Sequence, residues 1–296
     1  MERITRVVVF GDSLQDNGNL IKTLKIPGEP FYQGRFSNGK VAIEYFTEAL
    51  SMRQGDDIAL LNYAIGGAMS SGKNPKSILT ADAFSVSQQI DRFVASQGRF
   101  RQEEMVILNG GGNNMLFAIH DEKPYINISA IWRVAEDLIC SIDRLIRLGA
   151  REIIVWNVPD VTEAPAFEVS VLPRFIVGWL KHYLKHGIKK QNGRLAKGID
   201  MLTAKYPFVR LRLFDTYGFL HQVIENPLAY GFDDISGVCV ESFGGVDAKG
   251  VIQTDIPIIN DPVTHLFWDY VHPTTKAHKL LADEMLKLYD PLNSIE

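Results

Sequence analysis

The chain has 296 residues, of which 46% are hydrophobic and 22% are charged, and its formal net charge at pH 7 is −4. A chain this apolar can bury a large core, which excludes global disorder. The mildly negative charge argues against nucleic acid as the main partner, because phosphate binding requires a basic surface. No apolar run approaches the roughly 18 residues that a membrane span requires.

Segments with the apolar pattern of a strand alternate along the chain with segments that have the apolar spacing of a helix. In chain order, they predict strand 4–10, helix 41–50, strand 58–63, helix 86–93, strand 105–108, helix 129–148, strand 153–158, helix 175–202, strand 209–214 and helix 273–289. Gly149 is the expected cap after the third helix, and Pro273 is the expected first residue of the last. No linker or repeat interrupts the pattern, so a single domain over residues 1–296 is expected.

The strands are almost continuously apolar, which is typical of a parallel sheet covered by helices on both faces. The fold class is therefore predicted to be α/β, with a mostly parallel five-stranded sheet. Ligands in such folds bind beyond the carboxyl ends of the strands. Clusters of glycine and polar residues follow three strands, at residues 11–18, 66–72 and 110–114, and predict one site at that edge.

Two features of the sequence bear on the compartment of the protein. Residues 1–3 lead directly into the short apolar run 7–10, whereas a signal peptide needs a longer apolar stretch and a small-residue cleavage site. A cytoplasmic location is the default expectation, while export by another route or removal of a leader stays open. Cys140 and Cys239 have the spacing of neither a zinc site nor a disulfide scaffold, and a single bridge between them stays open.

Ser13 stands on the sharp turn that follows the first predicted strand. A serine at this position can expose its hydroxyl at the edge of the sheet, and its own amide would lie at a helix start where N–H groups are free. The alternative is that Ser13 only caps the helix, which is the commoner use of serine at such a turn. This segment alone leaves both interpretations open.

Two later segments offer hydrogen-bond donors to the same edge. The amide of Gly67 can approach a ligand closely because no side chain intervenes, and Asn113 offers a side-chain amide after a glycine triplet. Each residue alone is also explained by ordinary turn chemistry. Together with the Ser13 amide they are three donors, which is enough for an oxyanion hole.

Asp269 and His272 lie three residues apart near the carboxyl end of the chain. Imidazole suits general-base chemistry near neutral pH, and a carboxylate on its second nitrogen selects the tautomer and stabilises the imidazolium. The alternative is an Asx turn at Asp269 followed by a helix-capping His272. With the other motifs, the pair indicates the base and its partner in a serine hydrolase.

These motifs resemble the four blocks of the GDSL, or SGNH, hydrolase family. The matching segments are Phe10-Gly11-Asp12-Ser13-Leu14 with Asp16-Asn17-Gly18-Asn19, then residues 62–67, 111–114 and 269–272. Their order and coarse spacing match over nearly the whole chain. Residues 34–39 (GRFSNG) and 267–275 (FWDYVHPTT) are similar to the bacterial branch of phospholipases A, lysophospholipases, thermolabile haemolysins and glycerophospholipid–cholesterol acyltransferases.

The resemblance implies a flavodoxin-like three-layer α/β/α sandwich and a role for each site residue. Ser13 would be the nucleophile, His272 the base and Asp269 its partner. The amides of Ser13 and Gly67 and the side chain of Asn113 would form the oxyanion hole. No metal or organic cofactor is implied. Asn114 departs from the family's Gly-x-Asn-Asp block, which leaves open how the loop that carries Asn113 is supported.

The function expected from residues and resemblance together is a serine esterase that cleaves an acyl ester, of a phospholipid or lysophospholipid, through an acyl-enzyme. An alcohol such as a sterol could replace water as acceptor. One alternative is an esterase for short acyl groups or carbohydrate-bound acetyl groups. Another is a catalytically silent lipid-binding protein with this fold. If Ser13 is not the nucleophile, Ser70 is the next candidate.

A basic segment and two near-matches to known binding motifs each have a structural as well as a functional interpretation. Between residues 169 and 199 there are seven Lys or Arg and no acid, with aromatic residues at helical spacing. Such a segment either lies on an anionic membrane surface or is a packed helix with a solvated basic edge.

Residues 67–74 nearly match a phosphate-binding loop but lack its final hydroxyl, which argues against nucleotide binding. His182 and His186 lack the Glu of a zinc protease and are expected on a solvated helix face.

Overall fold

The computed structural model describes residues 3–72, 85–116, 131–170 and 172–289. Its central sheet has five strands, all parallel, in the order β2-β1-β3-β4-β5. The strands are β1 Arg6–Phe10, β2 Ala59–Asn62, β3 Glu104–Leu108, β4 Glu152–Trp156 and β5 Arg210–Phe214. This order is that of flavodoxin-like folds, so the predicted α/β class and topology are confirmed.

Helices cover both faces of this sheet. They are α1 Leu20–Leu24, α2 Ala42–Gln54, α3 Val86–Gln97, α4 Gly112–Leu116, α5 Val134–Arg147, α6 Arg174–Lys205, α7 Thr216–Glu225 and α8 Thr275–Tyr289. Successive residues of β1 face opposite layers, as strand geometry requires. Val7 and Val9 pack with α2 and α8, whereas Val8 and Phe10 pack with α3, α5 and α6. The result is the expected three-layer sandwich.

The last helix begins two residues later than expected. Pro273 forms a bridge with Phe267, and α8 starts at Thr275. The reason is tertiary: the side chain of Asn38 accepts a hydrogen bond from the Thr275 amide at 2.8 Å. A distant segment therefore satisfies an early amide of the helix, and the proline stays outside it. The first residues of the helix predicted at 129–148 lie outside the described residues.

Sequence analysis missed helix α7 and a second sheet of two parallel strands, β6 Asp234–Val238 and β7 His265–Phe267. Both strands are short, and neither has a clean alternation of polar and apolar residues. Their apolar side chains, with Phe219 and Val223 of α7, form a separate small core beside α8. In the described ranges, no helix is both long enough and apolar enough to cross a membrane.

Candidate active site

Ser13, His272 and Asp269 form a hydrogen-bonded array at the carboxyl edge of the central sheet. The Oγ atom of Ser13, three residues after β1, lies 2.9 Å from His272 Nε2. The other ring nitrogen, Nδ1, lies 2.9 Å from Asp269 Oδ2. Asp269 is fully buried, while Ser13 and His272 retain 8% and 7% exposure. The Ser13 hydroxyl can therefore reach a ligand, while the Asp269 carboxylate is shielded from water.

Backbone amides hold the Asp269 carboxylate in place. Oδ1 accepts from the amides of Val271 and His272 at 2.8 and 2.7 Å, and Oδ2 accepts from Gly244 at 2.8 Å. The residues from Asp269 to His272 thus form the Asx turn that the sequence left open as an alternative. The same carboxylate also bonds to His272 Nδ1, so the turn and the histidine contact occur together. A carboxylate anchored beside Nδ1 favours the tautomer that carries its proton there, which leaves Nε2 free to accept from Ser13.

Two amide side chains that sequence analysis missed support the turn before Ser13. Gln89 of α3 accepts from the Gly11 amide and donates to the Gly11 carbonyl, both at 2.8 Å. Asn109 donates to Asp12 Oδ1 at 2.8 Å. A Cβ at Gly11 would lie 1.6 Å from Asn109, so only glycine fits there. The available signal was Gln89 itself, a polar residue on the apolar face of a predicted helix.

Asp12 lies inside this support rather than at the reacting atoms. Its side chain is buried, and besides Asn109 it accepts from the Leu14 amide at 3.1 Å. Burial raises the pKa of Asp12 above its ordinary value, although hydrogen bonds from Leu14 and Asn109 and the nearby His272 act in the opposite direction. Asp12 therefore stabilises the turn that carries Ser13.

The residues expected to form an oxyanion hole come from three turns that the structure joins. Gly67 has a φ of +79°, a left-handed conformation that favours glycine. Asn113 Nδ2 donates to the carbonyl of Ala68 at 2.9 Å, which ties the third turn to the second. An amide nitrogen carries two hydrogens, so one remains for a ligand. Ser13 and Asn113 line the same cavity.

Asn114, which stands where the family pattern has Asp, supports the loop that carries Asn113. Its Oδ1 accepts from the Ser70 amide at 3.0 Å, and its Nδ2 donates to Ser70 Oγ at 3.1 Å. The Ser70 hydroxyl also lies 2.8 Å from the Asp137 carboxylate. Ser70 is fully buried in this network. It is therefore a structural residue, and Ser13 is the better candidate nucleophile.

A largely apolar cavity of about 110 Å³ opens beside Ser13 and His272. It extends under α7, β7 and α8. Apolar side chains make most of its wall, and among them are Leu14, Leu116, Trp156, Val161, Phe219, Leu220, Val223, Phe232, Leu266, Phe267, Val271, Leu280 and Leu281. A small number of the lining residues are polar, including Ser13, Asn113 and His272, and an apolar wall with a few polar groups is the usual composition of a site for an apolar ligand.

Asp160, Glu163 and His221 place ligand atoms within 4.8 Å of one another, a spacing that could hold a metal ion. However, the Lys185 ammonium already lies 3.2 Å from Asp160 and 2.8 Å from Glu163. Burial lowers the pKa of Lys185, but its bonds to Glu163 and Asp160 outweigh burial and raise that pKa overall. The acidic oxygens therefore compensate a lysine that stays charged, and a cation would have to displace it.

The remaining candidates from the sequence stand apart from this site. His182 and His186 are both exposed on α6, as expected. The end of the segment that resembled a phosphate-binding loop, Lys73 and Asn74, lies outside the described residues. Cys140 is exposed and Cys239 is buried, and both are free thiols, so the bridge that the sequence left open is not formed.

Comparison with known proteins agrees with this geometry. The family model for GDSL-like Lipase/Acylhydrolase matches residues 7–285. The thermolabile hemolysin of Vibrio parahaemolyticus is 25% identical over 97% of this chain, which spans 64% of the length of that relative. The phosphatidylcholine-sterol acyltransferase of Aeromonas hydrophila is 24% identical, over 94% of this chain and 88% of its own length.

Among solved structures, a mutant of Axe2, an acetyl-xylooligosaccharide esterase from Geobacillus, superposes with a TM-score of 0.51. It is 15% identical and covers 98% of this chain and 96% of its own, and a likeness at that identity shows the fold alone. The family match is broader evidence, because it includes all four sequence blocks of the site and nearly the full length. The chain therefore belongs to the GDSL-like lipase/acylhydrolase family and is an ester-hydrolysing enzyme.

Proposed function

We propose that this esterase hydrolyses fatty-acyl esters of lipids, a phospholipid or lysophospholipid, through an acyl-enzyme on Ser13. His272 Nε2 takes the proton of the Ser13 hydroxyl as Oγ attacks the ester carbonyl carbon. Asp269 stabilises the imidazolium that forms. The negative charge that develops on the carbonyl oxygen is bound by the amides of Ser13 and Gly67 and by Asn113 Nδ2.

The second half of the cycle uses the same groups in reverse. The tetrahedral intermediate collapses, the ester C–O bond breaks, and the imidazolium of His272 gives its proton to the leaving alcohol. Water then attacks the acyl-enzyme while His272 takes a proton from it. When the acyl–oxygen bond to Ser13 breaks, that proton returns to Oγ, and the fatty acid leaves.

The observation that carries the lipid assignment is the apolar cavity beside Ser13. An acetyl group has one methyl to bury and gains little from such a wall, whereas each buried methylene of a longer chain contributes about 0.8 kcal/mol. The cavity therefore favours longer acyl groups over the acetyl esters named for the Geobacillus structure. The name of the Aeromonas relative supports an acyl acceptor other than water as the second candidate, because the chemistry on Ser13 is the same for either acceptor.

We also propose that α6 brings the enzyme to a lipid surface. Phe175 and Trp179, one helical turn apart, are 78% and 59% exposed. The segment before α6 is anchored near the site, since the Ala166 amide donates to the Tyr270 carbonyl at 2.8 Å and Ala164 lines the cavity. Exposed aromatic side chains beside this anchored segment match the chemistry of a membrane interface.

The basic residues of α6 differ in what they contact. Lys181 pairs with Glu168 at 3.1 Å, and Lys185 pairs with Asp160 and Glu163. These two lysines therefore form ion pairs within the protein. Lys189 and Lys197 lie on the exposed face of the helix. An anionic bilayer is therefore the proposed partner, with the aromatic end of α6 inserted and the exposed lysines near lipid phosphates.

The acyl assignment is tested with soluble esters of one alcohol and increasing chain length, together with lysophosphatidylcholine. We expect kcat/KM to rise from acetyl to octanoyl by roughly a hundredfold, and Ser13→Ala to lower hydrolysis of every ester by a thousandfold or more. Fluorophosphonate should label the native chain and not this variant. An acetyl ester as the best substrate would overturn the lipid assignment, and an unlabelled Ser13 without turnover would favour the silent lipid-binding protein.

A further inference from the structure

Phe36 lies in the segment 34–39, which is part of the family resemblance. Its ring is buried and faces the imidazole of His272, with ring centroids 4.9 Å apart and planes inclined by 37°. This contact lies on the ring faces, whereas Ser13 and Asp269 hold the two ring nitrogens at the edges. The imidazole is therefore constrained in a direction that its hydrogen bonds leave free.

The same phenyl ring also touches two glycines of the site. A Cβ at Gly66 would lie 2.3 Å from the Phe36 ring, and a Cβ at Gly244 would lie 2.8 Å from it. Gly66 precedes Gly67 in the second turn, and Gly244 donates its amide to Asp269. One side chain thus contacts the imidazole, the turn with the expected oxyanion donor, and the loop that anchors the carboxylate.

The residues after Phe36 bind the chain that carries His272. Ser37 Oγ donates to the carbonyl of Pro273 at 2.9 Å, and Asn38 Oδ1 accepts from Thr275. These bonds flank His272 on its carboxyl-terminal side. Side chains at three successive positions, 36–38, therefore contact the histidine loop, and the backbone that carries Phe36 cannot move away from this loop without breaking the bonds of Ser37 and Asn38.

We propose that Phe36 is a positioning residue for the esterase reaction: its ring holds the plane of the His272 imidazole and sets the distance from this imidazole to the Gly66–Gly67 turn. This inference rests on the proposed roles of Ser13 and His272. A phenyl face also stabilises an adjacent cation, so the ring favours the imidazolium that forms when Ser13 gives up its proton. Phe36 therefore acts on the transition state through His272 and needs no contact with the substrate.

Other ionisable groups near His272 must be considered before a pH readout is interpreted. Asp269 bonds to its ring, and the charge of His272 affects the pKa values of Asp12 and His278. Burial and then the nearby His272 lower the pKa of His278 to about 3, so His278 stays neutral in the working range. None of these three groups is altered by a change at Phe36, so a shifted rate profile reports on the phenyl contact.

The test compares Phe36→Leu with Phe46→Leu, which removes a fully buried ring from the α2 side of the core. On a soluble short-chain ester, Phe36→Leu should lower kcat at least tenfold with KM within twofold. It should also move the acidic limb of kcat/KM to lower pH, because the imidazolium loses its aromatic neighbour. Phe46→Leu should lower the thermal midpoint and leave kcat and the acidic limb unchanged.

A second variant tests the same contact from the glycine side and does not require Phe36→Leu to fold. Gly66→Ala needs no left-handed backbone but pushes a methyl group into the ring, so it should lower kcat, and native kcat in this variant would contradict the contact. Where both single variants fold, adding Phe36→Leu should restore part of that loss. A Phe36→Leu enzyme with native kcat and an unmoved acidic limb would overturn the positioning role, as would strictly multiplicative losses in the double variant. Activity that survives Ser13→Ala would instead overturn the proposed function, which separates the two failures.

Discussion

Asp16 and Gly66 join the turns that follow two neighbouring strands, because Oδ2 of the buried Asp16 accepts the Gly66 amide at 2.8 Å. The same carboxylate accepts the amides of Gly18, Asn19 and Leu20 within its own turn. It therefore bonds two turns that must meet for the Ser13 hydroxyl and the Gly67 amide to face one ligand. Nothing in the sequence pairs residues 16 and 66, although both lie in family blocks.

Replacing Asp16 by Asn should damage activity and stability together. The Asn side chain turns an NH₂ group toward amides that are themselves donors, so we expect a loss of about 2–4 kcal/mol in the free energy of unfolding. The released Gly66 turn should lower kcat roughly ten- to a hundredfold. Asp234→Asn is the control, since Asp234 accepts the amides of Ser236 and Gly237 on the smaller sheet. An Asp16→Asn enzyme with full kcat would contradict the link.

Asn113→Ala should lower kcat by roughly a hundredfold to a thousandfold with little change in KM. The reason is that, in the proposed mechanism, the side-chain amide of Asn113 binds negative charge that develops only in the transition state. Asn113→Asp should be worse, because a carboxylate would repel the oxyanion. Steady-state kinetics on a soluble ester provides the measurement, with the thermal midpoint as the control for the lost bond to Ala68. A change mainly in KM would make Asn113 a substrate-positioning group.

The parts of the site that follow from local sequence were predictable. Ser13 stands on the turn three residues after β1, and Asp269 and His272 lie three residues apart, so short-range geometry places each of them. The inner strands β1, β3 and β4 were predictable for a similar reason, because a strand buried on both faces is mostly apolar. The edge strands β2 and β5 are only partly buried. The strand boundaries shifted by one or two residues where hydrogen bonding, rather than hydropathy, ends the strand.

Contacts between distant segments could not be read in the same way. Lys185 looks like one of seven basic residues on a helix, yet its partners Asp160 and Glu163 come from the loop after β4. Helix α7 has only two buried apolar residues, Phe219 and Val223, beside Thr216. Its packing partners lie on β6, β7 and α8, and no local period reveals them. These features depend on tertiary packing, which hydropathy alone does not encode.

His278 should make the enzyme less stable as the pH falls below about 6.5. It is fully buried, and burial, followed by the nearby His272, lowers its pKa from 6.5 in the unfolded chain to about 3. Between these values the unfolded state binds the extra proton, so stability decreases with falling pH by about 1.4 kcal/mol per unit at most. Its Nδ1 accepts the Ala42 amide at 3.3 Å, a role that an amide oxygen can take over.

His278→Asn should therefore keep the fold and flatten this dependence. Denaturant unfolding of the native chain and the variant at pH 7 and pH 5 gives the comparison, and the native chain should lose about 2 kcal/mol more than the variant. His182→Asn, at an exposed position on α6, serves as the control and should leave the slope unchanged. If the free energy of unfolding falls equally with pH in the native chain and in His278→Asn, other groups dominate acid unfolding.

The lipid-facing role proposed for α6 predicts different effects on hydrolysis of lipid in vesicles and of a soluble ester. Phe175→Ala with Trp179→Ala, or Lys189→Glu with Lys197→Glu, should weaken sedimentation with phosphatidylglycerol vesicles, the charge pair by roughly ten- to a hundredfold at low salt. High salt should remove the effect of the lysines and keep that of the aromatic residues. Lys185 is unsuitable for this test, because reversing it would place a third acid beside Asp160 and Glu163 at the cavity wall.

Turnover gives the decisive contrast in the same set of variants. Both pairs should slow hydrolysis of lipid in vesicles several-fold more than hydrolysis of a soluble ester, since they leave Ser13, His272 and Asp269 unchanged. Phe208→Ala is the matched control, because this ring is 88% exposed beyond the far end of α6. It should affect neither substrate. Equal losses on both substrates would mean that this end of α6 supports the fold, and no loss on either would leave it a solvated face.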